Sequence, residues 1–123
     1  MQKTLKFLAA TVAAMFLVVG LSACASETVD LKNVAAVIDV RTPDEYSMGH
    51  LKGAINIDVE AGDFQTQIDK LDKTANYVLY CHSGRRAGIA LDTMKAAGFS
   101  GTLTNAGGIT DATNSLALPI VVN

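Results

Sequence analysis

The residues of this chain that are best suited to chemistry lie within residues 77–94, in the segment YVLYCHSGRRAGIALDTM. An apolar run ends at Cys81, and a helical pattern begins a few residues later. Gly84 permits a tight turn that aims backbone N–H groups at one place, and the following helix adds the positive end of its dipole. Arg85 and Arg86 contribute permanent positive charge, so the loop favours a thiolate or an anionic sulfur species. These features predict that Cys81 is a nucleophile.

Simpler interpretations of the same residues stay open at this point. Cys81 can be an inert buried residue, and the arginines can be solvated residues of a first helical turn, where their charge opposes the helix dipole. His82 is a candidate general base, but a sequence neighbour on a tight loop usually points away from the nucleophile, and His50 lies in another predicted loop. Two histidines and one usable cysteine match no metal-ligand spacing, so we expect no metal and no cofactor.

The N-terminal residues have the layout of a secretory signal peptide. Lys3 and Lys6 precede an apolar run over residues 7–20. This run is shorter than the roughly 20 residues that a membrane span requires. The sequence Leu-Ser-Ala-Cys at residues 21–24 resembles a bacterial lipobox, in which the chain is cleaved before the cysteine and the thiol is lipidated, so we expect a lipoprotein that carries fatty acids such as palmitate. The alternatives are an ordinary cleaved signal peptide and an uncleaved signal anchor.

This interpretation divides the chain into a lipoprotein-type signal peptide over residues 1–23, an acylated tether over residues 24–34 and one domain over residues 35–123. We therefore expect an exported protein, anchored to the bacterial cell envelope through lipid on Cys24 and facing the periplasm. Acylation removes Cys24 as a disulfide partner and leaves Cys81 as the only thiol of the mature chain. The mature chain would be acidic and has no basic tract, so we expect no nucleic-acid partner.

Strand and helix patterns alternate along the predicted domain. Apolar runs predict strands at residues 35–40, 54–57 and 77–80, with a weaker strand at 101–104. A capping pattern predicts a helix that begins at Thr42, and helical spacing predicts a second over residues 60–71. A third helix is predicted from Arg86 to Gly98, with Ile89, Leu91 and Met94 on its apolar face. A short last helix is predicted after a Gly107–Gly108 turn. This order favours an α/β domain with a mostly parallel central sheet and helices on both faces, in which ligands bind beyond the carboxyl ends of the strands.

Three motifs resemble those of the rhodanese-homology family. They are IDVRTPDEYSMGHLKGAINI at residues 38–57, YCHSGRRA at residues 80–87 and AGFSGTLTNAGGI at residues 97–109. The resemblance implies a small rhodanese-like domain and a sulfurtransferase. Cys81 would take the outer sulfur of a small sulfur-containing anion such as thiosulfate, hold it as a persulfide and pass it to a thiol or a cyanide-like acceptor. The resemblance also implies a substrate-binding loop that consists of His82, Ser83, Gly84, Arg85 and Arg86.

Two alternatives to this activity need separate consideration. A sulfur carrier or binding module that delivers persulfide to a partner protein without turnover would use the same cysteine. Cysteine phosphatases, including those on a related fold, have five residues between the cysteine and the arginine. In this chain, four residues separate Cys81 from Arg86, and position 87, where a phosphatase would have its arginine, is alanine. The shorter loop resembles that of sulfur-handling members and disfavours phosphatase or arsenate reductase activity.

The remaining motif residues are predicted to have structural roles. Asp39 and Arg41 either shape the cavity near the loop or form a buried ion pair, and we favour the ion pair because buried charges require partners. Glu45 and His50 are expected to act through capping and loop packing. The family's usual tryptophan after the Gly-Gly motif is absent, with Asp111 or Ala112 near its place, and the tail NSLALPIVVN has no predicted element.

Overall fold

The computed structural model describes residues 28–122. The predicted signal peptide and the predicted lipidation site Cys24 lie outside these residues. Within the described part, no helix is both long and apolar enough to cross a membrane. The described strands and helices are, in chain order, β1 (Val34–Asp39), α1 (Pro43–Met48), β2 (His50–Leu51), β3 (Ile55–Asn56), α2 (Phe64–Ile68), β4 (Asn76–Cys81), α3 (Arg85–Ala96), β5 (Leu103–Gly108), α4 (Ile109–Leu116) and β6 (Ile120–Val121).

A parallel sheet with the strand order β3–β1–β4–β5 forms the centre of the domain. The inner strands β1 and β4 contain the apolar runs that the sequence analysis identified as strands. Their register places Asp39 opposite Tyr80, and Cys81 lies opposite Gly108 of β5. The predicted α/β class with a mostly parallel central sheet is therefore confirmed, and the carboxyl ends of three strands meet where Cys81 lies.

Neighbouring side chains of the inner strands point into two separate apolar cores, as the two-residue period of a strand requires. Ile38 and Leu79 belong to one core, which the buried residues of α2 and α3 complete. Val37 and Val78 belong to the other, which the buried residues of α4 complete. Helices therefore cover both faces of the sheet, as the sequence predicted.

Two helices differ in detail from their predictions. The helix predicted over residues 60–71 is shorter in the structure, where it is confined to α2. Turns precede α2, and in one of them the Ala61 N–H donates to the Asp58 carbonyl oxygen at 3.2 Å. In α3, the prediction that Ile89 faces the core is wrong, since this residue is 47% exposed. Ala87 and Ala90 face the core instead, together with Met94. Small side chains at the start of α3 let the helix lie close to the sheet beside Cys81.

The C-terminal third contains the element that the sequence did not predict. β5 continues through the glycine pair that was predicted to form a turn, and α4 follows it directly as the expected short last helix. The tail then forms β6, which pairs antiparallel with β2, so that His50 lies opposite Val121 and Leu51 lies opposite Ile120. This β2–β6 ribbon brings the tail next to the end of α1.

The described residues before β1 pack against the domain. Leu31–Asn33 forms a short 3-10 turn, which the Asp30 side chain caps by accepting from the Lys32 N–H at 2.9 Å. The Val29 N–H donates to the Ser115 carbonyl oxygen at 2.9 Å, and both Val29 and Leu31 contact the core on the α4 side. The chain thus enters the domain along α4.

Candidate active site

Cys81 is the last residue of β4 and is completely buried. Its Sγ accepts a hydrogen bond of 2.9 Å from the N–H of Gly84, which caps the N-terminus of α3. Gly84 has φ 97°, in the left-handed region that glycine adopts without steric cost. The turn between β4 and α3 therefore directs a backbone donor at the sulfur, an arrangement that stabilises negative charge on that atom.

The end of β5 supports this turn from below. A Cβ atom on Gly108 would overlap the carbonyl oxygen of His82, and a Cβ atom on Gly84 would lie 3.2 Å from the Cα of Gly107. Asn105 joins the turn to the end of β5, since its Nδ2 donates to the Gly84 carbonyl oxygen at 3.0 Å and its Oδ1 accepts from the Gly107 N–H at 2.8 Å. The glycine pair is thus required for close backbone packing, and Asn105 is a loop-positioning residue that the sequence analysis missed.

Arg86 lies in the first turn of α3 and forms a bidentate ion pair with Glu45 of α1. The two nitrogens Nη1 and Nη2 donate to the carboxylate oxygens at 2.8 and 2.9 Å. This pairing lowers the pKa of Glu45 from 4.5 to about 2, while the Glu45 carboxylate raises the pKa of Arg86. Cys81 makes a smaller contribution to the raised pKa of Arg86.

Glu45 therefore has two roles, of which the sequence predicted one. It forms the predicted cap of α1, where its N–H donates to Thr42 Oγ1 at 3.3 Å and the Thr42 hydroxyl donates back to Oε1 at 3.2 Å. The pairing with Arg86 was missed. The sequence contains these two opposite charges in two separate motifs. That alone does not show that the residues are in contact, because 41 positions of sequence separate them.

Asp39 and Arg41 form a buried ion pair at the end of β1, with side chains 0% and 7% exposed. Asp39 Oδ2 accepts from Arg41 Nη2 at 2.7 Å, and Oδ1 accepts from the Arg41 backbone N–H at 2.9 Å. Arg41 Nη2 also donates to the Gly49 carbonyl oxygen at 2.6 Å. This pair connects the sheet to the loop after α1, and Arg41 in addition lines the cavity described below.

His50 stacks on the ring of Tyr46, with 3.7 Å between the ring centroids, and its Nδ1 lies 2.9 Å from the Tyr46 carbonyl oxygen.

A cavity of about 410 Å³ adjoins the cysteine loop. The loop contributes His82, and the rest of the lining consists of Arg41, Glu45, Met48, Gly49, Ile109 and Ile120. Among the other loop residues with a predicted binding role, Ser83 and Arg85 are exposed, whereas Gly84 and Arg86 are half-buried. Among the described residues, no group of three or more His, Cys, Asp or Glu side chains is arranged to hold a metal ion.

Comparison with known proteins agrees with this geometry. The model of the Rhodanese-like domain family matches residues 23–115. The chain belongs to the rhodanese-like family. Among curated proteins, it is 34% identical over 84 residues to the Thiosulfate sulfurtransferase PspE of Escherichia coli, covering 68% of this chain and 76% of that protein. It is 31% identical over 87 residues to the "Putative sulfur carrier protein YrkF" of Bacillus subtilis, covering 71% of this chain but only 46% of that protein.

The solved structures extend the similarity to the fold. A structure described as a rhodanese with anions from E. coli is 33% identical, has a TM-score of 0.58, and aligns over 72% of this chain and 98% of that one. The protein hp1203 of Helicobacter pylori is 27% identical with a TM-score of 0.61, over 77% of this chain and 84% of that one. These neighbours confirm the predicted rhodanese-like fold.

Proposed function

We propose that this protein is a sulfurtransferase that carries sulfane sulfur on Cys81. The observation that carries the proposal is the hydrogen bond from the Gly84 N–H to Cys81 Sγ, at a turn that lies between a strand end and a helix N-terminus. This donor stabilises negative charge on Sγ, both in the thiolate that attacks the sulfur donor and in the thiolate that leaves when the persulfide is discharged. Similarity to PspE, which is named a thiosulfate sulfurtransferase, supports the same chemistry.

The reaction would proceed in two displacements. The Cys81 thiolate attacks the outer sulfur of thiosulfate, the new S–S bond forms, and the bond between the two sulfurs of thiosulfate breaks with its electron pair leaving on sulfite. A thiolate or cyanide then attacks the terminal sulfur of the Cys81 persulfide. The S–S bond to Cys81 breaks, its electron pair returns to Sγ, and the acceptor leaves with the sulfur. Neither step needs an external oxidant or reductant.

A carrier function is the second candidate, and the similarity to YrkF favours it. In that case the persulfide forms equally well, but its physiological acceptor is a partner protein and small acceptors turn over negligibly. The two candidates therefore share Cys81 and the first displacement. They differ only in the fate of the sulfur.

The test uses thiosulfate as donor and cyanide as acceptor with the full-length protein. We expect turnover in the parent and in Cys24→Ser, and none in Cys81→Ser, because Cys81 is the thiol that accepts the Gly84 N–H at the turn before α3. Activity that survives Cys81→Ser would refute the proposed mechanism. Absence of turnover, together with one added sulfur atom on the Cys81 peptide by mass spectrometry after exposure to thiosulfate, would favour the carrier.

We further propose that residues 1–23 are a lipoprotein signal peptide and that the chain is acylated at Cys24, ahead of the segment that packs on the domain from Val29 onward. The lipobox-like sequence before Cys24 supports this proposal, and it would hold the protein at the cell envelope on the periplasmic side. In a bacterial host, Cys24→Ser should abolish incorporation of labelled palmitate and release the protein from membranes. Continued labelling of Cys24→Ser would contradict the assignment.

A further inference from the structure

Three aliphatic side chains meet at the cavity beside the cysteine loop. Met48 ends α1, Ile109 begins α4, and Ile120 lies in the β2–β6 ribbon. Met48 is 80% exposed and Ile120 is 50% exposed, whereas Leu51, the strand partner of Ile120, is completely buried. Single exposed apolar residues are ordinary, but two that line the same small cavity together with the half-buried Ile109 form an apolar binding surface. We name Met48, Ile109 and Ile120 the aliphatic wall.

The charged residues of the cavity are already compensated from within the protein. Arg41 is paired with Asp39 at 2.7 Å, and Glu45 is paired with Arg86 at 2.8 Å. An anionic ligand in the cavity would therefore have to compete with carboxylates that hold the arginines in place. A neutral ligand faces no such competition and gains contact with the aliphatic wall, at about 0.8 kcal/mol for each methylene removed from water.

We propose that this cavity is the acceptor subsite and that Met48 and Ile120 select small thiols with a neutral, apolar body. The inference rests on the proposed sulfur transfer and specifies its second step. A volume of about 410 Å³ suits a small molecule. His82, the residue after Cys81, is among the residues that line the cavity, which places a ligand bound there beside the cysteine loop.

The chemical step balances without a further reactant. The bound thiol loses its proton to solvent, and its thiolate attacks the terminal sulfur of the Cys81 persulfide. A new S–S bond forms on the acceptor, the S–S bond to Cys81 breaks, and its electron pair remains on Sγ. The product is the persulfide of the acceptor, which then leaves the cavity.

The test separates loading from discharge. The full-length protein is loaded with thiosulfate, freed of excess donor and mixed with propanethiol or with mercaptoethanesulfonate, and loss of the added sulfur from Cys81 is followed by mass spectrometry. The measured quantity is the ratio of the rate constants for the two thiols. Comparing this ratio between variants cancels the different intrinsic reactivities of the thiols.

We expect Met48→Ser and Ile120→Thr each to lower this ratio by about fourfold, which corresponds to losing about one methylene of contact. Ile55→Thr is the matched control, because Ile55 is also a strand isoleucine, is 38% exposed and does not line the cavity. Its ratio should equal that of the parent. Met48 is 80% exposed and Thr keeps the β-branch of Ile120, so both test variants should fold, and equal loading by thiosulfate verifies this.

Two results would overturn the inference while leaving the proposed function intact. One is a ratio that stays at the parental value in both Met48→Ser and Ile120→Thr although Cys81 loads normally. The other is a parent whose ratio, corrected for the thiolate fraction of each thiol, favours the sulfonate. Failure of the parent to load sulfur on Cys81 would instead refute the proposed function, and the acceptor subsite with it.

Discussion

Replacing Glu45 with glutamine tests the contact that joins α1 to the cysteine loop. Glutamine keeps the length of the side chain and an oxygen that accepts from Thr42, but it removes the charge that Arg86 contacts at 2.8 and 2.9 Å. Arg86 would then remain half-buried in the first turn of α3, where the positive end of the helix dipole opposes its charge. We therefore expect the variant to be less stable than the parent.

The size and the pH dependence of this loss follow from the pKa of Glu45, which Arg86 lowers from 4.5 to about 2. Counted in full, such a shift corresponds to about 3 kcal/mol. Because the Glu45 side chain is 33% exposed, solvent screens the pair, and we expect Glu45→Gln to lower the free energy of unfolding by about 1–2 kcal/mol near neutral pH. Since the folded pKa lies below the unfolded value, this contribution is complete above the unfolded pKa and disappears as the pH falls through the folded one.

Urea unfolding followed by circular dichroism measures this free energy near neutral pH and again at about pH 2.5. Asp44→Asn is the matched control, because Asp44 is an exposed acid in the same first turn of α1, and its loss should be only a few tenths of a kcal/mol. The difference in free energy of unfolding between Glu45→Gln and the parent should be smaller at the lower pH. A gap of equal size at both pH values, or one no larger than that of the control, would refute the role given to the ion pair.

Two further substitutions test how the site is built. Asp39→Asn should lower the free energy of unfolding by about 3 kcal/mol, because Arg41 remains buried without its counter-charge, and urea unfolding measures the loss. Gly108→Ala should cost about 1–3 kcal/mol, since the new Cβ overlaps the His82 carbonyl oxygen. Gly62→Ala is the control, because a Cβ there meets nothing within 4 Å, and its stability should be nearly that of the parent. Thermal unfolding measures both alanine variants, and equal losses of stability in the two would contradict the packing argument.

Features that depend on neighbouring residues were predictable from the sequence. The apolar run before Cys81, the glycine in the turn and the helical pattern after Arg86 are all local, and the structure shows β4, a left-handed Gly84 and α3 in that order. The cap of α1 at Thr42 is equally local and was predicted. Ile89 is the instructive error, because spacing alone cannot show that Ala87 and Ala90, rather than Ile89, lie against the sheet.

Features that join distant segments were not predictable in the same way. The β2–β6 ribbon pairs only two residues on each side, too few to leave a strand pattern in the tail. The Glu45–Arg86 pair and the Asn105 contacts to the turn also arise from tertiary packing, over 41 and 21 positions of sequence. The sequence therefore predicted Cys81 as the reactive residue, while the structure was needed to find the Glu45–Arg86 pair and the Asn105 contacts that hold its loop in place.

The ion pair also changes what the arginine of the loop can do for an incoming anion. In the sequence, a cation at a helix N-terminus suggests that its charge serves the substrate. In the structure, Nη1 and Nη2 of Arg86 already donate to Glu45, so an anionic donor meets an arginine whose charge is compensated by a carboxylate with a pKa of about 2. The Gly84 N–H, in contrast, points at the sulfur itself, at 2.9 Å. The backbone of the turn is therefore the better placed donor for Cys81 Sγ, and Arg86 acts first by fixing that backbone to α1.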